Sequence, residues 1–216
     1  MSNIFDIFKK IEKDREGQST QAITHLVVGL GNPGDKYFYT RHNAGFLAMD
    51  YISQRCGAQV NRSKFKALVG EATVADKRVL LMKPQTFMNS SGEAVAEAAR
   101  FYKIAPENII VLSDDVNLDV GRMRVRKGGS DGGQRGLRSI IEKIGSGDFR
   151  RIRIGVGKKP HPDYDLVDWV LGNFSESDKK AIFDCFVTAY DGLERILSGD
   201  LEGAMQICNG KVSGEK

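Results

Sequence analysis

The feature that most constrains this chain is a short apolar run, His25-Leu-Val-Val-Gly-Leu30, that breaks straight into a loop of Gly, Asn, Pro and Asp. A run this brief and this continuously apolar suits a strand buried on both faces of a parallel sheet. The loop continues to Asn43, which is placed to cap a helix through Ala44, Leu47, Ala48, Tyr51 and Ile52, stopped at Gly57. Strand, loop and helix in that order make the opening of an α/β layer fold.

The rest of the chain repeats the alternation. Ala67–Val74 and Arg78–Met82 flank Ala75-Asp-Lys77 as a hairpin, and Ser90 or Ser91 opens a helix through Val95, Ala98 and Tyr102 that ends before Pro106. Asn108–Leu112 reads as a second core strand running into Ser113-Asp-Asp115. Arg122–Arg126 and Arg151–Val156 alternate basic with apolar residues, the pattern of strands with one wet face. Between them, the glycine-rich stretch Gly128–Gly133 precedes a helix to about Ile144, and Ser175–Ser198 has the caps and spacing of a long helix closed by Gly199. The fold class expected is α/β: a single domain with a mixed, mostly parallel β-sheet flanked by helices.

With 216 residues, 41% hydrophobic and 28% charged, the chain suits one such domain with a small appendage. No apolar run approaches the length of a membrane span. Met1–Glu16 mixes Ile4, Phe8 and Ile11 at helical spacing with acids and bases, so residues 1–21 read as an amphipathic helix and linker rather than a targeting segment. The catalytic domain is expected over 22–210, with a tail over 211–216. Cys56, Cys185 and Cys208 are odd in number and far apart, which argues against disulfides and zinc and for a reducing cytoplasm.

Charge is unevenly spread. Between Gly121 and Pro160 twelve arginines and lysines face three acids, an excess of nine in a chain whose net charge is +4. That leaves the remainder at −5, and the concentration of positive charge is the footprint expected for a phosphate-rich polymer.

Gly29-Leu-Gly-Asn-Pro-Gly34 formally matches a dinucleotide-binding loop. Pro33 removes an N–H from that loop, however, and no helix starts directly after Gly34. The acid about 20 positions on, Asp50, falls inside a helix. The cofactor reading is therefore set aside. Of three histidines, only His42 lies in a loop crowded with polar groups, near Asn32, Tyr37, Arg41 and Asn43. It has no second histidine or cysteine at ligand spacing, so neither metal nor organic cofactor is expected. An imidazole activates water when a carboxylate fixes its tautomer, and Asp114 and Asp115 at a strand exit are the candidates. No serine or cysteine sits in a nucleophile turn, which leaves water as the attacker. Phe87, Met88 and Asn89 precede a helix. They suit either a core-facing cap or a ledge for an apolar substrate group, and residue chemistry alone leaves both open.

Five segments occur together and in order: Val28–Gly34, Thr40–Gly45, Pro84–Asn89 with Ser91-Gly92, Asp114-Asp115 with Leu118 and Gly121, and Arg151–Gly155. Over Leu26 to Ala204 the chain resembles the bacterial peptidyl-tRNA hydrolase family. The resemblance implies hydrolysis of the ester joining a peptide to the terminal ribose of tRNA, freeing the tRNA for reuse. It implies His42 as general base, Asp114 as its supporting carboxylate, and Asn32 as the residue that separates peptidyl from aminoacyl esters. Tyr37, Phe87 and Asn89 would contact substrate near the ester, and Arg126 and Arg153 would clamp a tRNA phosphate. The partner implied is peptidyl-tRNA, through its acceptor stem and 3′ end, met by a cytoplasmic monomer away from membranes. Where the family commonly has Gly-Gly-His-Asn-Gly, this chain reads Gly132-Gly-Gln-Arg-Gly136, so Arg135 stands in place of a substrate-contacting asparagine. A non-catalytic RNA-binding module on the same fold is the alternative, though a pure binder has no need of a base.

Overall fold

A computed structural model describes residues 21–210; the amphipathic segment expected over Met1–Glu16 and the tail over 211–216 lie outside the described residues. Seven strands form one sheet: β1 (His25–Gly29), β2 (Arg62–Lys64), β3 (Ala67–Val74), β4 (Lys77–Pro84), β5 (Ile109–Asp115), β6 (Met123–Arg126) and β7 (Arg150–Gly155). Their order across the sheet is β2-β3-β4-β1-β5-β7-β6. The four central strands, β4, β1, β5 and β7, run parallel, and the outer strands join antiparallel. The sheet is thus mixed with a parallel centre, as the continuous apolar runs of β1 and β5 imply.

Helices cover both faces: α1 (Ala44–Arg55), α5 (Glu176–Leu197) and α6 (Leu201–Asn209) on one, α2 (Ser91–Tyr102) and α3 (Arg135–Ile144) on the other. The short α4 (Leu166–Leu171) lies beside the strand ends. Strand alternation divides the core. Val27, Ile110, Leu112, Ile152 and Ile154 face α1, α5 and α6, while Leu26, Val28, Ile109 and Val111 face α2 and α3. The same alternation governs β6, where Met123 and Val125 are buried and Arg124 and Arg126 are exposed. β6 is the wet-faced strand the sequence predicts.

β7 departs from that pattern. Arg151 is buried, not solvated; its guanidinium donates to the carbonyls of Gly129 and Ser130 and, at 3.1 Å, to that of Gly147. An arginine counted toward a basic face instead ties down the glycine-rich loop before α3. Burial pulls its pKa below the usual arginine value, with Arg153 adding to the effect.

Two helix starts also differ from expectation. Asn43 sits at the N-terminus of α1 but its side chain makes no cap bond, and Ser90 precedes α2 without capping it. Ser175 does cap α5, in a reciprocal box with Asp178. The hairpin forms as read, though its second strand extends to Pro84; the polar β2 and the six-residue α4 are too short to carry a periodic signal, and α6 is a further helix beyond those expected.

α1 packs unusually close to the sheet. A Cβ on Gly45 would lie 2.4 Å from the Leu112 carbonyl oxygen and 2.6 Å from the Leu30 nitrogen, and one on Gly29 would lie 2.4 Å from the Gly45 carbonyl oxygen. Only glycines allow that crossing. It brings the start of α1, and the His42 turn just before it, to the ends of β1 and β5.

Candidate active site

The C-terminal ends of the parallel strands open into a cleft of about 310 Å³. It draws Asn32 and His42 from the loop after β1, Phe87, Met88 and Asn89 after β4, Asp114 and Asp115 from β5, and Asp131 to Arg135 from the glycine-rich loop and α3. Three loops singled out in the sequence therefore meet at one place, as ligand sites do in α/β sheets. The volume accommodates an ester and its immediate neighbours; a nucleic acid would have to lie across the rim.

His42 and Asp114 form the centre. His42 Nδ1 stands 2.8 Å from Asp114 Oδ2, with the two side chains 13% and 3% exposed. The imidazole comes from the middle of a short 3-10 turn, Arg41–Asn43, and Asp114 points to the α1 face of β5 because it shares the parity of Ile110 and Leu112. Burial alone would depress the histidine's pKa. The charge and hydrogen bond of Asp114 outweigh it, Arg135 opposes them, and the net result lies above the ordinary 6.5. With Nδ1–H donating to Asp114, Nε2 is left as the proton acceptor.

The selectivity candidate is fixed by a different lock. Asn43 Oδ1 accepts from the Asn32 N–H at 2.8 Å, and Asn43 Nδ2 donates to the Asn32 carbonyl at 3.0 Å. Asn32 Oδ1 in turn accepts from the Met88 N–H at 2.8 Å. Asn43 thus trades its expected cap for the role of holding Asn32, and Asn32 Nδ2 takes no protein partner among the described residues. Met88 and Phe87 divide the two readings the sequence leaves open: Met88 is buried core, while Phe87 is 60% exposed at the rim of the cleft beside exposed Asn89.

The remaining predicted residues scatter more widely. Tyr37 is half-buried in the preceding turn under Lys36 and does not line the cleft. Arg153 lines it, but stands 2.7 Å from buried Asp115, so its charge is answered within the protein. Arg126 lies outside the cleft, exposed on the edge strand β6. Arg124 pairs opposite Arg153 and Arg126 opposite Arg151, so all four arginines share one face of the sheet.

Sequence reasoning missed three supports. Gln134 hydrogen-bonds Asp114 from behind, and its only signal is its position in the departing Gly132–Gly136 stretch, just before a helix. Arg151 anchors the glycine-rich loop. Arg41, beside His42, stacks 3.7 Å over Trp169 while its N–H donates to the Gly172 carbonyl, which fastens α4 and its apolar Leu166 and Val167 against the cleft. Among the described residues, no three His, Cys, Asp or Glu side chains gather as a metal site.

An imidazole held by a buried carboxylate faces an open cleft at the ends of parallel strands, the place where α/β enzymes carry their sites. The chain's relatives identify the family. Residues 26–216 match the peptidyl-tRNA hydrolase family, and the chain belongs to it. A peptidyl-tRNA hydrolase of Caldicellulosiruptor bescii is 49% identical over 188 residues, covering 87% of this chain and 98% of the relative. One from a Thermoanaerobacter species is 48% identical over 186 residues, covering 86% and 100%. The crystal structure of the Acinetobacter baumannii peptidyl-tRNA hydrolase superposes with a TM-score of 0.82 at 32% identity, over 89% of this chain and 98% of that one. These matches favour the enzyme over the RNA-binding module. No helix among the described residues is long and apolar enough to cross a membrane.

Proposed function

We propose that this protein hydrolyses the ester of peptidyl-tRNA with His42 as the general base. The observation that carries the reading is the 2.8 Å contact between His42 Nδ1 and Asp114 at the cleft. His42 Nε2 takes a proton from water, and the hydroxide attacks the ester carbonyl carbon. Asp114 holds the tautomer and stabilises the imidazolium that results. The tetrahedral intermediate collapses with cleavage of the bond to the ribose oxygen, which takes up a proton. The products are a peptide carboxylate and a tRNA with a free 3′-terminal hydroxyl.

Asn32, positioned by Asn43, offers its free amide N–H to the peptide portion, which an aminoacyl ester lacks. Phe87 and Asn89 meet the substrate at the rim, and Tyr37 acts from the turn behind it. Arg135 donates to a substrate carbonyl or phosphate where an amide would serve elsewhere, but supplies no acceptor. Arg126, with Arg124 beside it, holds a phosphate of the acceptor stem; Arg153 contributes from within its pair with Asp115. The acting form in this reading is a monomer. The odd number and wide spacing of Cys56, Cys185 and Cys208 support a reducing cytoplasm as the compartment.

The test is turnover of an N-blocked aminoacyl-tRNA with and without a chelator. Release of free tRNA and the blocked amino acid, unchanged by the chelator, is the expected result. Loss of activity on chelation would contradict a reaction run by His42 and Asp114 without metal.

A further inference from the structure

The departure at Gly132–Gly136 changes two positions, and the first of them, Gln134, stands behind Asp114. Its Nε2 lies 3.0 Å from Asp114 Oδ1, the carboxylate oxygen that His42 does not use. Its Oε1 accepts from the Leu137 N–H at 2.7 Å, capping α3. Nε2 also lies 3.2 Å from Met88 Sδ. A carbonyl oxygen suits the N–H donor, and an NH2 suits the carboxylate and the sulfur, so all three partners demand the same amide orientation. Gly136 keeps the arrangement compact, because a Cβ there would lie 2.6 Å from Met88 Sδ and 3.0 Å from Gln134 Oε1.

We propose that Gln134 is a positioning residue for the hydrolysis: a neutral brace that fixes the plane of the Asp114 carboxylate, and through it the His42 ring, to the N-terminus of α3. The terminal torsion of an aspartate is broad and nearly two-fold, so one hydrogen bond to His42 does not by itself fix the carboxylate. A second donor on the other oxygen does. Neutrality matters as much as reach, since a cation at this position would compete with the imidazolium for Asp114. The arrangement also links the base to the Arg135 corner, because Gln134 and Arg135 are consecutive and open the same helix.

Two variants separate the brace from the cap. Gln134→Ser keeps a good N-cap but is too short to reach Asp114. Gln134→His keeps a ring N–H donor of comparable reach but is a poor cap. The groups acting on His42 are Asp114 from β5 and Arg135 from α3, while Asp115, Asp131 and Arg153 line the same cleft and are unaltered in both variants. We expect Gln134→Ser to lower kcat roughly tenfold with KM unchanged, the scale of groups that orient a reactive side chain from behind. Its kcat/KM profile should also move its acidic limb to higher pH, because the unbraced carboxylate holds the imidazolium more tightly. Gln134→His should retain more activity than Gln134→Ser while melting at a lower temperature. Wild-type kcat and an unmoved acidic limb in Gln134→Ser, or activities that simply follow the melting temperatures, would overturn the proposal. It rests on His42 being the base, so His42→Ala is assayed in parallel. Full activity in that variant removes the base itself, whereas an inactive His42→Ala beside a wild-type Gln134→Ser removes only the brace.

Discussion

The cleft and the arginine face of β6 are both polar, yet they are built on opposite principles. In the cleft, Asn32, His42, Asn43, Asp114 and Gln134 are joined side chain to side chain or side chain to backbone, each with a fixed partner. On β6, Arg124 and Arg126 project into solvent from an edge strand, one residue apart from buried core. On the proposed function, the difference separates two tasks. Bond cleavage depends on geometry held to a fraction of an ångström, which calls for buried and satisfied polar groups. Attraction of a polyanion depends on charge over a surface, which tolerates mobile side chains and is screened by salt. Arg151 and Arg153 show the boundary within one strand: the first is consumed by the fold, the second by Asp115.

That contrast breaks if substitutions in the two regions have the same signature. The largest effect is expected for His42→Ala, which should lower kcat about a thousandfold, roughly 4 kcal/mol of transition-state stabilisation, with tRNA binding largely intact. Steady-state turnover alongside filter binding checks both halves. Next comes Arg151→Met, which leaves three carbonyls of the glycine-rich loop and its neighbour without their donor. A loss of about 2 to 3 kcal/mol in chemical denaturation is expected, although this arginine belongs to the basic segment by sequence. If stability is unchanged and only tRNA affinity falls, Arg151 belongs with the surface after all. The smallest effect is expected for Arg126→Ala: unchanged kcat, severalfold weaker tRNA binding, and a salt slope shallower by about 1. A salt slope equal to that of the intact protein would remove Arg126 from the interface.

The sequence carried the scaffold of the site more clearly than its fastening. β1 and β5 are legible because a strand buried on both faces must be continuously apolar, and in β5 that run gives way to Ser113-Asp-Asp115 at the strand's end. The meeting of His42 with Asp114 follows from strand-end logic, since loops at one end of a parallel sheet converge. The rest depends on contacts distant in the chain. Asn43 reads locally as a helix cap, and only the folded loop reveals that its amide is spent on Asn32. Gln134 lies just before a helix and is found to cap it, but its second hydrogen bond reaches back twenty residues to Asp114. Arg151 alternates with isoleucines as a wet-faced residue would, and the glycine-rich loop folding over it decides otherwise. β2, three exposed polar residues, holds its place by pairing with β3 and has no pattern of its own to read.

In the proposed reaction Asp114 sets the protonation and orientation of the base. Because the His42 pKa is raised, the imidazolium persists above pH 6.5 and the base becomes available only at higher pH. The pH dependence of kcat/KM for N-blocked aminoacyl-tRNA, measured for the wild type and Asp114→Asn, reads this directly. An acidic limb above pH 6.5 is expected in the wild type. In the variant the limb should drop below 6.5, because burial and Arg135 then act unopposed, and the plateau should fall about a hundredfold. An acidic limb that stays in place when the carboxylate charge is removed would contradict it.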